Sequence, residues 1–87
     1  MIKIRFSKNF DPSEFDFEMP SKKLVYEFVL ECILENEEEI PMNESVAYFD
    51  ATDKKVTAIF KRVAHNEYII EEYFPCDAVI DVKEKKR

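Results

Sequence analysis

The pattern of hydrophobic and polar positions predicts short strands around one long helix. Ile2–Phe6 (IKIRF) alternates apolar and basic residues, which is the period of a half-buried strand. Three further strand-like runs follow one another in the second half of the chain: Val46–Phe49, Val56–Val63 and Tyr68–Phe74. Turn-forming residues separate them, with His65 and Asn66 suited to a tight hairpin, so we expect an antiparallel meander.

The helix is predicted between the first strand and the meander. Ser21 precedes KKLVYEFVLECILENEEE and can cap it, so we expect a helix from about Lys22 to about Asn36 that ends before Pro41. At about 100° per residue, one narrow stripe holds three acids, Glu27, Glu31 and Glu35. Apolar residues cover nearly all the rest: Leu24, Val25, Tyr26, Phe28, Val29, Leu30, Cys32, Ile33 and Leu34.

That apolar arc is wider than one sheet covers, which predicts a second cover on the helix flank. One cover is the phenylalanine-rich segment, Phe10–Pro20 (FDPSEFDFEMP), which we interpret as part of a long loop because it has two prolines and no clean period. The other cover is a second protein chain. Within the segment, three rings alternate with four acids: Phe10, Phe15 and Phe17, and Asp11, Glu14, Asp16 and Glu18. Either the rings close the core, or some of them anchor a binding surface with an acidic rim.

These elements predict an α+β fold in one domain, residues 1–87. The expected order is strand, helix, three strands, with one long helix packed on one face of an antiparallel sheet of four or five strands. Ala78–Val82 is the candidate fifth strand, a short edge. Residues 83–87 (KEKKR) are expected to form a flexible basic tail.

The absence of glycine excludes several functional classes. Phosphate-cradling loops and dinucleotide-binding fingerprints need glycine where backbone and ligand approach closely, and nucleophile elbows usually need it in their strained turn. Turns with positive φ are therefore expected at asparagine or aspartate. No apolar run approaches the length of a membrane span and no signal peptide is recognisable, so we expect a cytoplasmic protein without membrane contact.

Candidate catalytic residues are few. His65, the only histidine, is predicted at a hairpin tip without the buried partner that a general base needs. Cys32 should be a core residue, and Cys76 lies beside an acidic residue, Asp77, so we expect two reduced cysteines and no catalytic thiol. The carboxylates of ENEEE cannot all converge on one ion. We therefore expect no enzyme, no cofactor and no metal site.

Charge is distributed unevenly on a chain of net charge −6. Residues 24–53 hold nine acids and no lysine or arginine. Lys22 and Lys23 lie in the first helical turn while glutamates gather at the end, which opposes the helix dipole. Either the acids form a solvated face that the basic strands neutralise, or they dock on a basic partner. The expected partner-binding residues are Glu27, Glu31, Glu35, Glu37, Glu38, Glu39, Asp11, Glu14, Phe15, Asp16 and Phe17.

Two alternatives remain open at this point. The first is an RNA- or single-stranded DNA-binding module that uses strand residues Lys3, Arg5, Lys61 and Arg62 beside aromatic rings. The acidic block opposes it, because its carboxylates would repel phosphates. The second is a structural homodimer built on Tyr26, Leu30 and Leu34.

The sequence therefore favours a small acidic, non-catalytic binding protein. We expect an inhibitor or adaptor whose acids mimic nucleic acid and occupy a basic surface of a nucleic-acid-handling protein. By analogy of size and charge alone, it is similar to phage and mobile-element products that block host nucleases, CRISPR effectors or transcription machinery.

Overall fold

The structure is a computed structural model that describes residues 1–76. It confirms the α+β class and the predicted order of elements: β1 (Lys3–Phe6), α1 (Lys22–Asn36), β2 (Ser45–Asp50), β3 (Val56–Ala64) and β4 (Glu67–Pro75). Two short 3-10 helices lie at Pro12–Glu14 and Glu37–Glu39. The predicted edge strand Ala78–Val82 and the tail at 83–87 lie outside the described residues. Within residues 1–76, no helix is long and apolar enough to cross a membrane.

The four strands form one mixed sheet in the order β1-β4-β3-β2, so the prediction of a wholly antiparallel sheet was wrong. β2, β3 and β4 are antiparallel neighbours as predicted, but β1 runs parallel to β4, with Lys3 opposite Glu67. The cause is the crossover through α1. A helix that carries the chain back along the sheet makes β2 start from the same end as β1, and two reversals then make β4 parallel to β1.

The core lies between α1 and one face of the sheet. Ser21 caps the helix, because its Oγ accepts a hydrogen bond from the backbone N–H of Leu24 at 3.1 Å. The apolar face of α1 contacts large residues of the central strands β3 and β4. The largest fully buried members of this core are Val25, Val29, Ile33, Val56, Phe60, Tyr68 and Ile70. Ile4 and Phe6 of β1 and Tyr48 of β2 pack at its edges.

The phenylalanine-rich segment closes one end of the core on β4. The Phe10 ring lies 5.0 Å from Tyr73 and 5.6 Å from Phe74, and the Phe15 ring lies 5.3 Å from Phe74 (centroid distances). Phe17 packs on Phe15 at 5.5 Å. Within residues 1–76, the ring–ring contacts of this segment are therefore with β4 and within itself. Phe10 and Met19 also pack against the core cluster that α1 shares with the sheet.

Turns are built without glycine. Among the described residues, positive φ occurs at Asn43 (64°) and Lys55 (55°). Asn43 fits the expectation, whereas Lys55 does not. The Lys55 conformation follows a turn that the Asp50 carboxylate holds, because Oδ1 accepts hydrogen bonds from the backbone N–H groups of Thr52 and Asp53 at 3.1 and 3.0 Å. These bonds lower the pKa of Asp50.

Candidate protein-binding surface

Glu27, Glu31 and Glu35 form one exposed row along the outer face of α1, which we call the acidic row. Successive members are four residues apart, a rise of about 6 Å along the helix axis. Glu37–Glu39 continue the negative charge in a 3-10 helix that follows α1 directly. The sheet packs on the opposite side of α1, so these carboxylates face away from the core.

The fold neutralises only part of this charge. The Lys54 ammonium lies 3.1 Å from a Glu31 carboxylate oxygen, and Arg62 lies 4.0 Å from Glu37. The hydrogen bond that the Lys54 ammonium donates to the Glu31 carboxylate raises the pKa of Lys54. Within residues 1–76, the other helix-face acids make no ion pair: Glu27, Glu35, Glu38 and Glu39. The role of Lys54 was missed from the sequence because the pair joins residues 23 positions apart.

An apolar row runs beside the acidic row on the same outer face. Its members, Tyr26, Leu30 and Leu34, are also four residues apart, and α1 turns about 100° between each of them and the next residue of the acidic row. Tyr26 is 38 % exposed and Leu34 is 64 % exposed, while Leu30 is half-buried. The described chain leaves this row uncovered.

The end of α1 carries a shallow depression lined by Leu34, Glu35, Asn36 and Glu37–Glu39, with a volume of about 250 Å³. Its lining is mainly carboxylate, so its potential is negative. The depression joins the acidic row to the acidic 3-10 helix, and together they form one continuous negative surface.

The predicted partner-binding residues of the phenylalanine-rich segment lie elsewhere. The segment precedes the N-terminus of α1, whereas Glu37–Glu39 follow its C-terminus, about 20 Å away along the helix. Asp11 caps its own turn, because its Oδ1 accepts hydrogen bonds from the Ser13 hydroxyl at 2.6 Å and the Ser13 backbone N–H at 3.0 Å. Those bonds lower the pKa of Asp11. Glu14 and Asp16 are exposed, and Phe15 and Phe17 are half-buried in the ring cluster.

The four basic residues considered for nucleic-acid binding do not share one face. Lys3 and Arg5 are exposed on β1, and Lys61 lies in the same cross-strand row as Arg5 but 3.6 Å from Glu71. Arg62, next in sequence, points to the opposite face of the sheet because strand residues alternate. There its guanidinium donates hydrogen bonds to the His65 carbonyl at 2.7 and 3.1 Å and lies 5.7 Å from the Tyr68 ring. Arg62 is thus engaged in the fold.

The residues with the most reactive chemistry lie apart from this surface or inside the fold. Cys32 is buried on α1, and its thiol pKa is raised to about 12 by burial and by the negative charges of Glu35 and Glu31. Cys76 is half-buried and forms no disulfide with Cys32. His65 is exposed at the hairpin between β3 and β4. Within residues 1–76, no three His, Cys, Asp or Glu side chains are grouped so as to hold a metal ion.

Comparison with protein-family models, curated proteins and solved structures finds no match.

Proposed function

We propose that this chain is a non-catalytic cytoplasmic protein that docks its acidic surface on a basic, nucleic-acid-handling protein and blocks or recruits it. The acidic surface consists of the acidic row and the 3-10 helix Glu37–Glu39. The observation that carries the proposal is that four of its six carboxylates make no ion pair within residues 1–76. A negative surface that its own fold leaves largely unneutralised is suited to a positive partner.

The regular spacing of the acidic row supports a partner that normally holds nucleic acid. Carboxylates about 6 Å apart along a rigid helix present a repeating line of negative charge, as a phosphate backbone does. The helix fixes the backbone positions of this line before binding, so association orders glutamate side chains but not the backbone that carries them. Complementary fields would also speed encounter and make association sensitive to salt.

The test is affinity capture from nuclease-treated lysate of the source organism, comparing wild type with Glu27→Lys/Glu35→Lys. Both residues are exposed and make no ion pair in residues 1–76, so the variant should remain folded. The matched control is Glu44→Lys/Glu72→Lys, which makes the same change in net charge. Glu44 precedes β2, and Glu72 lies on the sheet face away from α1.

We expect wild type and the control to recover the same basic protein, and the Glu27/Glu35 variant to recover at least tenfold less, since each reversal replaces attraction by repulsion (about 1 kcal/mol or more per charge). The recovered protein, once purified, should lose nucleic-acid binding or activity when wild type is added, if the chain is an inhibitor. Equal recovery by both variants would contradict docking through the acidic row. Partners that are recovered from untreated lysate but not from nuclease-treated lysate would instead indicate direct nucleic-acid binding.

A further inference from the structure

The apolar row of α1 has opposite charges at its two ends. Lys23 lies at the N-terminal end, and Glu38 lies in the 3-10 helix just beyond the C-terminal end. Both are exposed, and neither makes an ion pair within residues 1–76. Leu30 lies about 10 Å from Lys23 along the axis, and Glu38 lines the same depression as Leu34 at the other end of the row. The pattern along the row is thus positive, apolar, negative, with Leu30 as the middle apolar residue.

Within one chain these charges are unfavourable for the helix. Lys23 lies at the positive end of the helix dipole and Glu38 at the negative end, and each such placement opposes the dipole. Lys22, also in the first turn, has a contact of its own, because its ammonium lies 5.3 Å from the centre of the Phe6 ring. No comparable contact holds Lys23 in the described part of the chain.

We propose that the partner of the apolar row is a second copy of this chain, packed with its α1 antiparallel and centred on Leu30. In this arrangement Tyr26 of each protomer contacts Leu34 of the other, and the two Leu30 side chains meet on the two-fold axis. Lys23 of each protomer then lies beside Glu38 of the other. Lys23 then lies near the C-terminal end of the partner's α1, and Glu38 lies near its N-terminal end. Both placements are favourable for the dipole of the partner's helix.

The proposal is independent of the proposed function and compatible with it. The two-fold axis of an antiparallel helix pair is perpendicular to both helix axes. The acidic row lies about 100° around α1 from the apolar row, away from the sheet. Symmetry therefore places both acidic rows on one side of the dimer and both sheets on the other. The dimer would present its two acidic rows on one surface, with Glu38 of each chain paired to Lys23 of the other.

The test is sedimentation equilibrium of the purified protein over a range of concentrations, with a charge swap. We expect the mean mass to rise from 10.4 kDa towards twice that value with concentration. Lys23→Glu and Glu38→Lys should each weaken dimerisation about tenfold, because each creates two symmetric like-charge contacts. The double variant Lys23→Glu/Glu38→Lys should recover the wild-type dissociation constant within about twofold, because it restores both pairs in reversed polarity.

The single charge variants should fold at least as stably as wild type, because both changes favour the helix dipole, so unfolding cannot explain their effect. Leu34→Ala and Phe49→Ala form a matched apolar pair, since both residues are 64 % exposed. Only Leu34→Ala should weaken dimerisation, because Phe49 lies on β2. A wild type that stays monomeric at every concentration would overturn the proposal, as would a double variant no tighter than the single ones.

Discussion

At the scale of single residues, burial decides which of the two thiols can react. Cys32 is 6 % exposed, and the raised pKa of about 12 leaves almost no thiolate at neutral pH. Cys76 is half-buried at the end of β4, where reagents can reach it. We therefore expect a maleimide to modify one cysteine per native chain and two in denaturant, counted by mass spectrometry. Cys76→Ser should remove the native label, and a native label that persists in it would contradict the buried position of Cys32.

At the scale of elements, the bounds of α1 could be predicted from the residues in and around the helix. Its bounds followed from the sequence because the Ser21 cap, the helical period and Pro41 lie in the segment or close to its ends. The Ser21 cap is testable: Ser21→Ala removes the acceptor for the Leu24 N–H and should lower the free energy of unfolding by about 1 kcal/mol in urea titrations. Ser21→Asp keeps an acceptor and should stay within about 0.5 kcal/mol of wild type. Equal losses in both variants would show that the hydroxyl does not act as a cap.

The arrangement of the elements in the sheet was predicted less well, because the sequence signals are local to each element. The period of Ile2–Phe6 showed which residues face the core, but not which strand would lie beside it or in which direction. Its pairing with β4 joins residues separated by most of the described chain, such as Lys3 and Glu67. The acidic row followed from helical spacing alone, whereas the Glu31–Lys54 ion pair and the internal role of Arg62 needed the folded chain. The local sequence pattern thus predicts the buried face and the bounds of each helix or strand. Which strands lie side by side depends on contacts between distant residues, which the pattern does not contain.

At the scale of the whole molecule, the phenylalanine-rich segment packs beside the pairing of β1 with β4, which joins distant parts of the chain. β1 ends at Phe6, opposite Ile70, and the segment then covers the rest of β4 with rings. A domain of this size has a free energy of unfolding of only about 5 to 10 kcal/mol, so one aromatic contact set is a large share of it. Phe10 packs against the core cluster, Phe15 and Phe17 are half-buried in the ring cluster, and the acids between them are exposed.

Substitution of Phe10 can distinguish a role in the core from a role as a binding anchor. Phe10 contacts Phe15, Tyr73 and Phe74, so Phe10→Ala should lower the free energy of unfolding by about 2 to 3 kcal/mol, measured by urea denaturation. Phe49→Ala, which removes a ring that is 64 % exposed, should change it by less than about 0.5 kcal/mol. If Phe10→Ala left stability unchanged but abolished capture of the basic protein, the segment would be a partner surface. The free energy of unfolding separates the two roles. Loss of a core ring destabilises the isolated chain, whereas loss of an anchor ring weakens only the complex with the partner.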